Sequence, residues 1–194
     1  MVLLGATGIL VGTFFLNSLY LQDVAGASAL RAGLEFLPVM AVIGLAAHLA
    51  SRLLPRAGSR MLAVAGLALM GGGALLLSGL SAQAGYVTGL LPGLLIIGAG
   101  TGLVFPAASV TAMSDVAAGQ AGLASGLLTA AHEIGAALGV AVFSAVAIAA
   151  GGGLAAGYRH GFTVAAGIAA GLALVSLLVI PAVRPAPGAR VAVH

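Results

Sequence analysis

Six hydrophobic segments of membrane-crossing length, joined by short polar connections, predict an all-α integral membrane protein built as a bundle of six transmembrane helices. Three observations carry that prediction. Of 194 residues, 61% are hydrophobic and 6% are charged, and the mean hydropathy is +1.22, a composition foreign to soluble domains. Each apolar run reaches the ~20 residues that a helix needs to cross a ~30 Å hydrocarbon core. The breaks between runs fall at Gly, Pro or charged residues, and the short connections imply antiparallel neighbours.

The first span covers residues 2–21 and carries Thr7, Thr13, Asn17 and Ser18. Ala27-Ser28-Ala29 beyond it resembles a signal-cleavage site, but the segment lacks a basic leader and its apolar stretch is too long for a secretory signal. The second, residues 33–54, carries Glu35 and His48, with Pro38 inside it as a possible kink. The third, residues 61–80, is almost pure hydrocarbon. The fourth, residues 86–113, holds Thr88, Thr101, Ser109 and Thr111, with a second internal proline at Pro106. The fifth, residues 121–150, holds Ser125, Thr129, His132 and Glu133; the sixth, residues 162–183, is again hydrocarbon. Residues 1–183 thus form one domain, and the Pro/Arg-rich residues 184–194 are expected to be a disordered tail. Polar, polar, apolar, repeated twice, is the order of a three-plus-three repeat with two peripheral helices. The plainer reading is that each Ser or Thr bonds its own helix carbonyls.

Charge sets the expected orientation. Arg52, Arg56 and Arg60 crowd the connection between spans two and three, which places that connection in the cytoplasm. Alternation puts Arg184 and Arg190 on the same side and Arg31 and Arg159 opposite, so both termini are cytoplasmic, in a bacterial plasma membrane. The connection at Ser114 to Gln120 carries Asp115 and no arginine and adds nothing to the assignment. The seven arginines, with no lysine, raise the pI to about 10.2 but are dispersed, which argues against nucleic acid as a partner. No cysteine is present, which excludes disulfides and thiolate metal sites, and the four histidines are scattered. No metal and no cofactor is expected.

The fifth span is the most informative. Counted from Ala121 at ~1.5 Å per residue, His132 lies roughly 16 Å deep, near the middle of the hydrocarbon core. Ionisable groups at that depth cost at least ~2.5 kcal/mol on insertion scales, so they mark a protein interior, a watery path or a proton relay. Glu133 is adjacent to His132, about 100° further around the helix, so the two need not share one site. A structural role for the pair, bonded to polar groups on a neighbouring helix, is the competing reading. Glycines four residues apart, including Gly98/Gly102, Gly122/Gly126 and Gly135/Gly139, are expected to let helix backbones pack closely.

Several strings together resemble one family. Tyr20-Leu21-Gln22 followed by Val24, Gly26, Ser28, Leu30 and Ala32-Gly33 is similar to the first outer loop in the carboxyl-terminal half of major facilitator superfamily exporters, in the fourteen-helix drug:proton antiporter group. Arg56, Gly58 and Arg60 resemble the short cytoplasmic D-R-x-G-x-R loop, with Pro55 standing where Asp is expected. Gly98, Gly100, Gly102 and Pro106 resemble the G-x-G-x-G-x-x-x-P stretch of the fourth helix of that half. Residues 121–128, continuing to Gly135, Leu138 and Gly139, are the most specific match, although the family commonly shows Arg-Gln where this chain has His132-Glu133. The resemblance implies the carboxyl-terminal six-helix half of the major facilitator fold, with helices one and four along a central cavity, two and five at the interface between halves, and three and six toward lipid. On that architecture Asn17, Thr101 and Thr129 are candidates to line the cavity, and Glu133, with His132, is the candidate proton carrier, because burial raises a carboxyl pKa toward the working pH. It implies a part of a secondary active transporter, a proton-coupled exporter of drugs or other small molecules rather than an enzyme. Its partners are then lipid, substrate, protons, and either the missing amino-terminal half or a second copy of the chain. The alternative is a truncated half-transporter without transport of its own, acting at most as a membrane interaction partner. A remote alternative is an intramembrane serine protease, since Leu123-Ala124-Ser125-Gly126 is similar to the rhomboid G-x-S-G signature. That signature's first glycine is absent, the sixth span as drawn holds no histidine, and a serine without a positioned base is not an activated nucleophile.

Overall fold

The computed structural model describes residues 1–24, 26–79, 85–114, 116–150 and 154–180; the predicted tail lies outside them. Helix α1 (Val2–Leu19) runs on into a π-helical turn (Tyr20–Val24). The second span is two pieces, α2 (Ala29–Glu35) and α3 (Leu37–Ala57), then α4 (Ser59–Ser78). A π-helical turn (Tyr86–Leu90) leads into α5 (Leu91–Met113), a 3₁₀ turn (Ala118–Gln120) into α6 (Ala121–Ala149), and α7 (Leu154–Val179) follows. Among the described residues, six helical segments are long and apolar enough to cross a membrane.

Two boundaries differ from expectation. The second span starts earlier and breaks at Phe36, whose N–H bonds the Gly33 carbonyl in a tight turn. Pro38, in the first turn of α3, has no N–H to continue the ladder, so the chain restarts its helix rather than kinking within one. The last helix starts eight residues before the expected Phe162. Arg159, His160 and Gly161 read as loop residues, yet Arg159 and His160 sit exposed at the helix end, where polar tips reach water. A methyl at Gly157 would press on the Ala147 carbonyl, so that glycine admits a close crossing of α7 and α6.

Packing interlocks the two sets of three spans. α1 lies along α6 and α3 along α5, so the first span of each set packs on the second span of the other. The third spans, α4 and α7, pack together, and α4 also runs along α5. The principal core joins Ile9 and Leu16 of α1, Leu67 and Met70 of α4, Leu94 and Ile97 of α5 and Phe162 of α7. Small residues set the spacing. A side chain at Gly135 would overlap the Leu4 carbonyl, one at Gly139 the Gly8 carbonyl, and one at Gly102 would meet Ile43 and Ala46. Gly98 likewise faces Val39. Gly122 and Gly126 differ: nothing lies within 4 Å of a methyl there, so the close packing expected of them is not made within this chain.

Burial is uneven in a way that defines a face. Half or more of the most apolar stretch is buried in the first, third and fourth spans, against 11% in the second and 17% in the fifth. α3 packs mainly on α5, and α6 mainly on α1 with smaller contacts to α7 and α5, and much of the remaining surface of both helices is uncovered. Leu37, Leu45 and Leu49 on α3 and Leu123, Leu127 and Leu138 on α6 stand exposed.

Candidate functional site

His132 and Glu133 point to different surroundings. The His132 ring is half-buried; its Nδ1 lies 3.1 Å from the Thr7 hydroxyl of α1, and its plane meets Phe105 of α5 edge to face at 5.5 Å. One side chain therefore ties α6 to both α1 and α5 near mid-membrane. Glu133 stands exposed on the open flank of α6 with Thr129, whose hydroxyl bonds the Ser125 carbonyl of its own helix. The burial invoked for Glu133 is thus not supplied by this chain alone, because its helix turns that side away from the bundle.

Asn17 and Thr101 also depart from expectation. They are 0% and 2% exposed and lie inside the bundle rather than along an open cavity. Thr101 donates to Ile97 O, and Asn17 donates through Nδ2 to Thr13 O while its Oδ1 is buried without a partner. Thr13 donates to the carbonyls of Ile9 and Leu10, and Thr111 and Ser176 bond back along their own helices. The hydroxyls therefore mostly satisfy local carbonyls. His48 is exposed on α3, and Glu35 forms an i,i+4 ion pair with Arg31 at 3.1 Å.

A cavity of about 460 Å³ opens beside the Thr7–His132 contact. Leu3 of α1, Ala108 and Thr111 of α5 and Leu128 and Ala131 of α6 line it, one turn from Thr7, Phe105 and His132. Its wall is almost wholly apolar, suited to a hydrophobic body and offering one hydroxyl. It lies at the Gly58 end of the bundle, where Gly58 alone links α3 to α4. Gly58 has φ +79°, a conformation that side-chain-bearing residues rarely adopt, which is why a glycine stands between Arg56 and Arg60. At the opposite end, the Tyr86 hydroxyl donates to the Glu35 carbonyl at the close of α2, and Arg159 Nε donates to Ser78 O at 3.2 Å.

Sequence reasoning missed three groups. Thr7 as the His132 partner and Tyr86 as the cap of α2 follow from long-range contacts that no local pattern reveals. Gly8 and Gly12, which face Gly135, Gly139 and Phe143, carried a signal in their own four-residue spacing. No group of three His, Cys, Asp or Glu suited to a metal occurs among the described residues. The protease reading fails on geometry: Ser125 lies one turn from the start of α6, while His160 lies at the far end of the bundle and bonds Ala156 O.

Two interlocked sets of three helices of membrane-crossing length, with an uncovered flank, make this an all-α membrane bundle. The chain belongs to the Major Facilitator Superfamily, whose profile matches residues 1–140; transporters of this kind are not enzymes. It is 35% identical over 170 residues to the puromycin resistance protein of Streptomyces alboniger, covering 80% of this chain and 34% of that protein. It is 36% identical over 135 residues to the lincomycin resistance protein of Streptomyces lincolnensis, covering 69% and 28%. It is also 36% identical over 149 residues to the cephamycin export protein of Amycolatopsis lactamdurans, covering 75% and 30%. The chain spans about a third of the length of these relatives.

Proposed function

We propose that this chain is the carboxyl-terminal six-helix part of a proton-coupled exporter of drugs or other small molecules. The observation that carries this reading is the match of most of the chain to proteins named for antibiotic resistance or export. The Gly58 end, with Arg52, Arg56 and Arg60, then faces the cytoplasm of a bacterial cell, as do both termini. Glu133 is the proton carrier in this reading. Its uncovered flank becomes buried once a further six-helix bundle closes against α3 and α6, which would shut the carboxyl away from lipid and bulk water. The apolar cavity near His132 supplies part of the path for a hydrophobic substrate.

The test is reconstitution of the chain with the amino-terminal six-helix bundle of one of its relatives. A pH gradient is imposed across the proteoliposomes, and accumulation of a fluorescent organic cation is followed. Gradient-dependent accumulation that needs both parts is expected; facilitated leak indifferent to the gradient would remove proton coupling from the proposal. The second reading, a half-transporter without transport of its own, is favoured by the openness of the α3–α6 flank.

A further inference from the structure

We infer that the Thr111 hydroxyl selects, among apolar molecules entering the cavity between α1, α5 and α6, uncharged ones that carry a hydrogen-bond donor. The inference rests on the reading of that cavity as part of the substrate path, and it adds the chemistry that the path accepts. Three helices of this chain supply the wall. Among the described residues that line it, every side chain except Thr111 is Ala, Val, Leu, Ile or Met. No ring is there to stack on and no carboxylate to balance a cation, so a ligand is drawn in by burial of its apolar surface and not by its charge. The volume of about 460 Å³ falls within the range of small-molecule sites.

Thr111 then decides which functional group the wall tolerates. Its hydroxyl proton is committed to the Ala107 carbonyl, 2.8 Å away on the preceding turn of α5. A hydroxyl has one proton to give and two lone pairs with which to accept, so what Thr111 still presents is an acceptor. A ligand O–H or N–H placed against it is satisfied. A ligand ether or carbonyl receives nothing from it, and a donor placed against any of the other side chains loses its partner on leaving water.

The chain contains no cysteine, so a single thiol introduced by Ala112→Cys, in the same wall, reports occupancy through its protection from a maleimide in native membranes. The probes are 1-naphthol and 1-methoxynaphthalene, alike in their apolar body and different in the hydroxyl proton. The ratio of their half-protecting concentrations is read in the Ala112→Cys chain, and again with Thr111→Val or Thr111→Ser added; partition into lipid is common to all three and cancels. Thr111→Val keeps the shape and removes the acceptor, and is expected to shift the ratio roughly fivefold against 1-naphthol, the worth of one hydrogen bond. Thr111→Ser is expected to keep the ratio near that of the parent. Leu75→Cys, exposed on α4, is expected to show no protection. A ratio that Thr111→Val leaves unchanged overturns the inference, as does a shift in Thr111→Ser equal to that in Thr111→Val. Protection by neither probe, as when a lipid chain fills the space, overturns it too. Only binding is read, so a chain that binds selectively but never exports keeps this inference while losing the exporter reading, and the converse failure leaves that reading in place.

Discussion

Adjacent residues on a helix lie about 100° apart, so His132 reaches Thr7 and Phe105 while its neighbour Glu133 faces outward over the uncovered flank. On the proposed reading the two side chains divide the labour. Glu133→Gln in the assembled transporter is expected to abolish gradient-driven export while leaving expression and substrate binding intact. His132→Ala should lower the rate less and instead loosen the bundle by about 1 kcal/mol, the net worth of one hydrogen bond; proton-flux and unfolding measurements on the two variants separate these effects. Wild-type antiport by the Gln variant would make Glu133 a structural group. The glycines give a second contrast at this scale. Gly139→Ala drives a methyl into the Gly8 carbonyl and should destabilise the bundle by about 1–3 kcal/mol, as overpacking does. Gly126→Ala, with open space around it, should leave the thermal midpoint of the isolated chain unchanged.

At the level of elements, the six spans were legible because each is a long apolar run with clear punctuation, and α6 in particular was readable almost to the residue. What escaped were features set by distant partners. The break between α2 and α3 follows from Pro38, but its tolerance depends on Tyr86, fifty-one residues away in sequence, whose hydroxyl occupies the Glu35 carbonyl at the end of α2. Tyr86→Phe should therefore speed hydrogen exchange over residues 29–35 by roughly fivefold, a loss of about 1 kcal/mol of local stability, with the rest of the chain unaffected. Polarity pointed to Asn17 and Thr101 as cavity groups, yet a side chain's residue type does not say which side of its helix is covered, and both proved to be interior. The expected orientation has its own check: a thiol at Ala29 should label only from outside intact cells and one at Gly119 only after permeabilisation. The reverse pattern would invert the bundle and place the Arg56-Gly58-Arg60 connection outside.

For the whole molecule, the uncovered α3–α6 flank predicts what the chain does by itself. Reconstituted at low protein-to-lipid ratio, it should insert with full helix content but fail to accumulate a fluorescent organic cation against its gradient, since one bundle leaves a transport path open along one side. Uphill accumulation by a single copy would refute this. The interlocking of the two sets of three has a further effect, on the order of events at the ribosome. The first helix finds its main neighbour only in α6, and the Thr7–His132 contact joins residues 125 apart in the chain. At a synthesis rate of about 5–20 residues per second, α1 waits roughly 6–25 s in the membrane before that neighbour exists. Throughout that delay the bare backbone at Gly8 and Gly12 lacks the cover that Gly135, Gly139 and Phe143 give it in the folded bundle. This face of α1 therefore completes its packing late, and slowed translation just ahead of α6 should lengthen the interval in which α1 is open to proteolysis, a change that limited digestion of stalled chains would read.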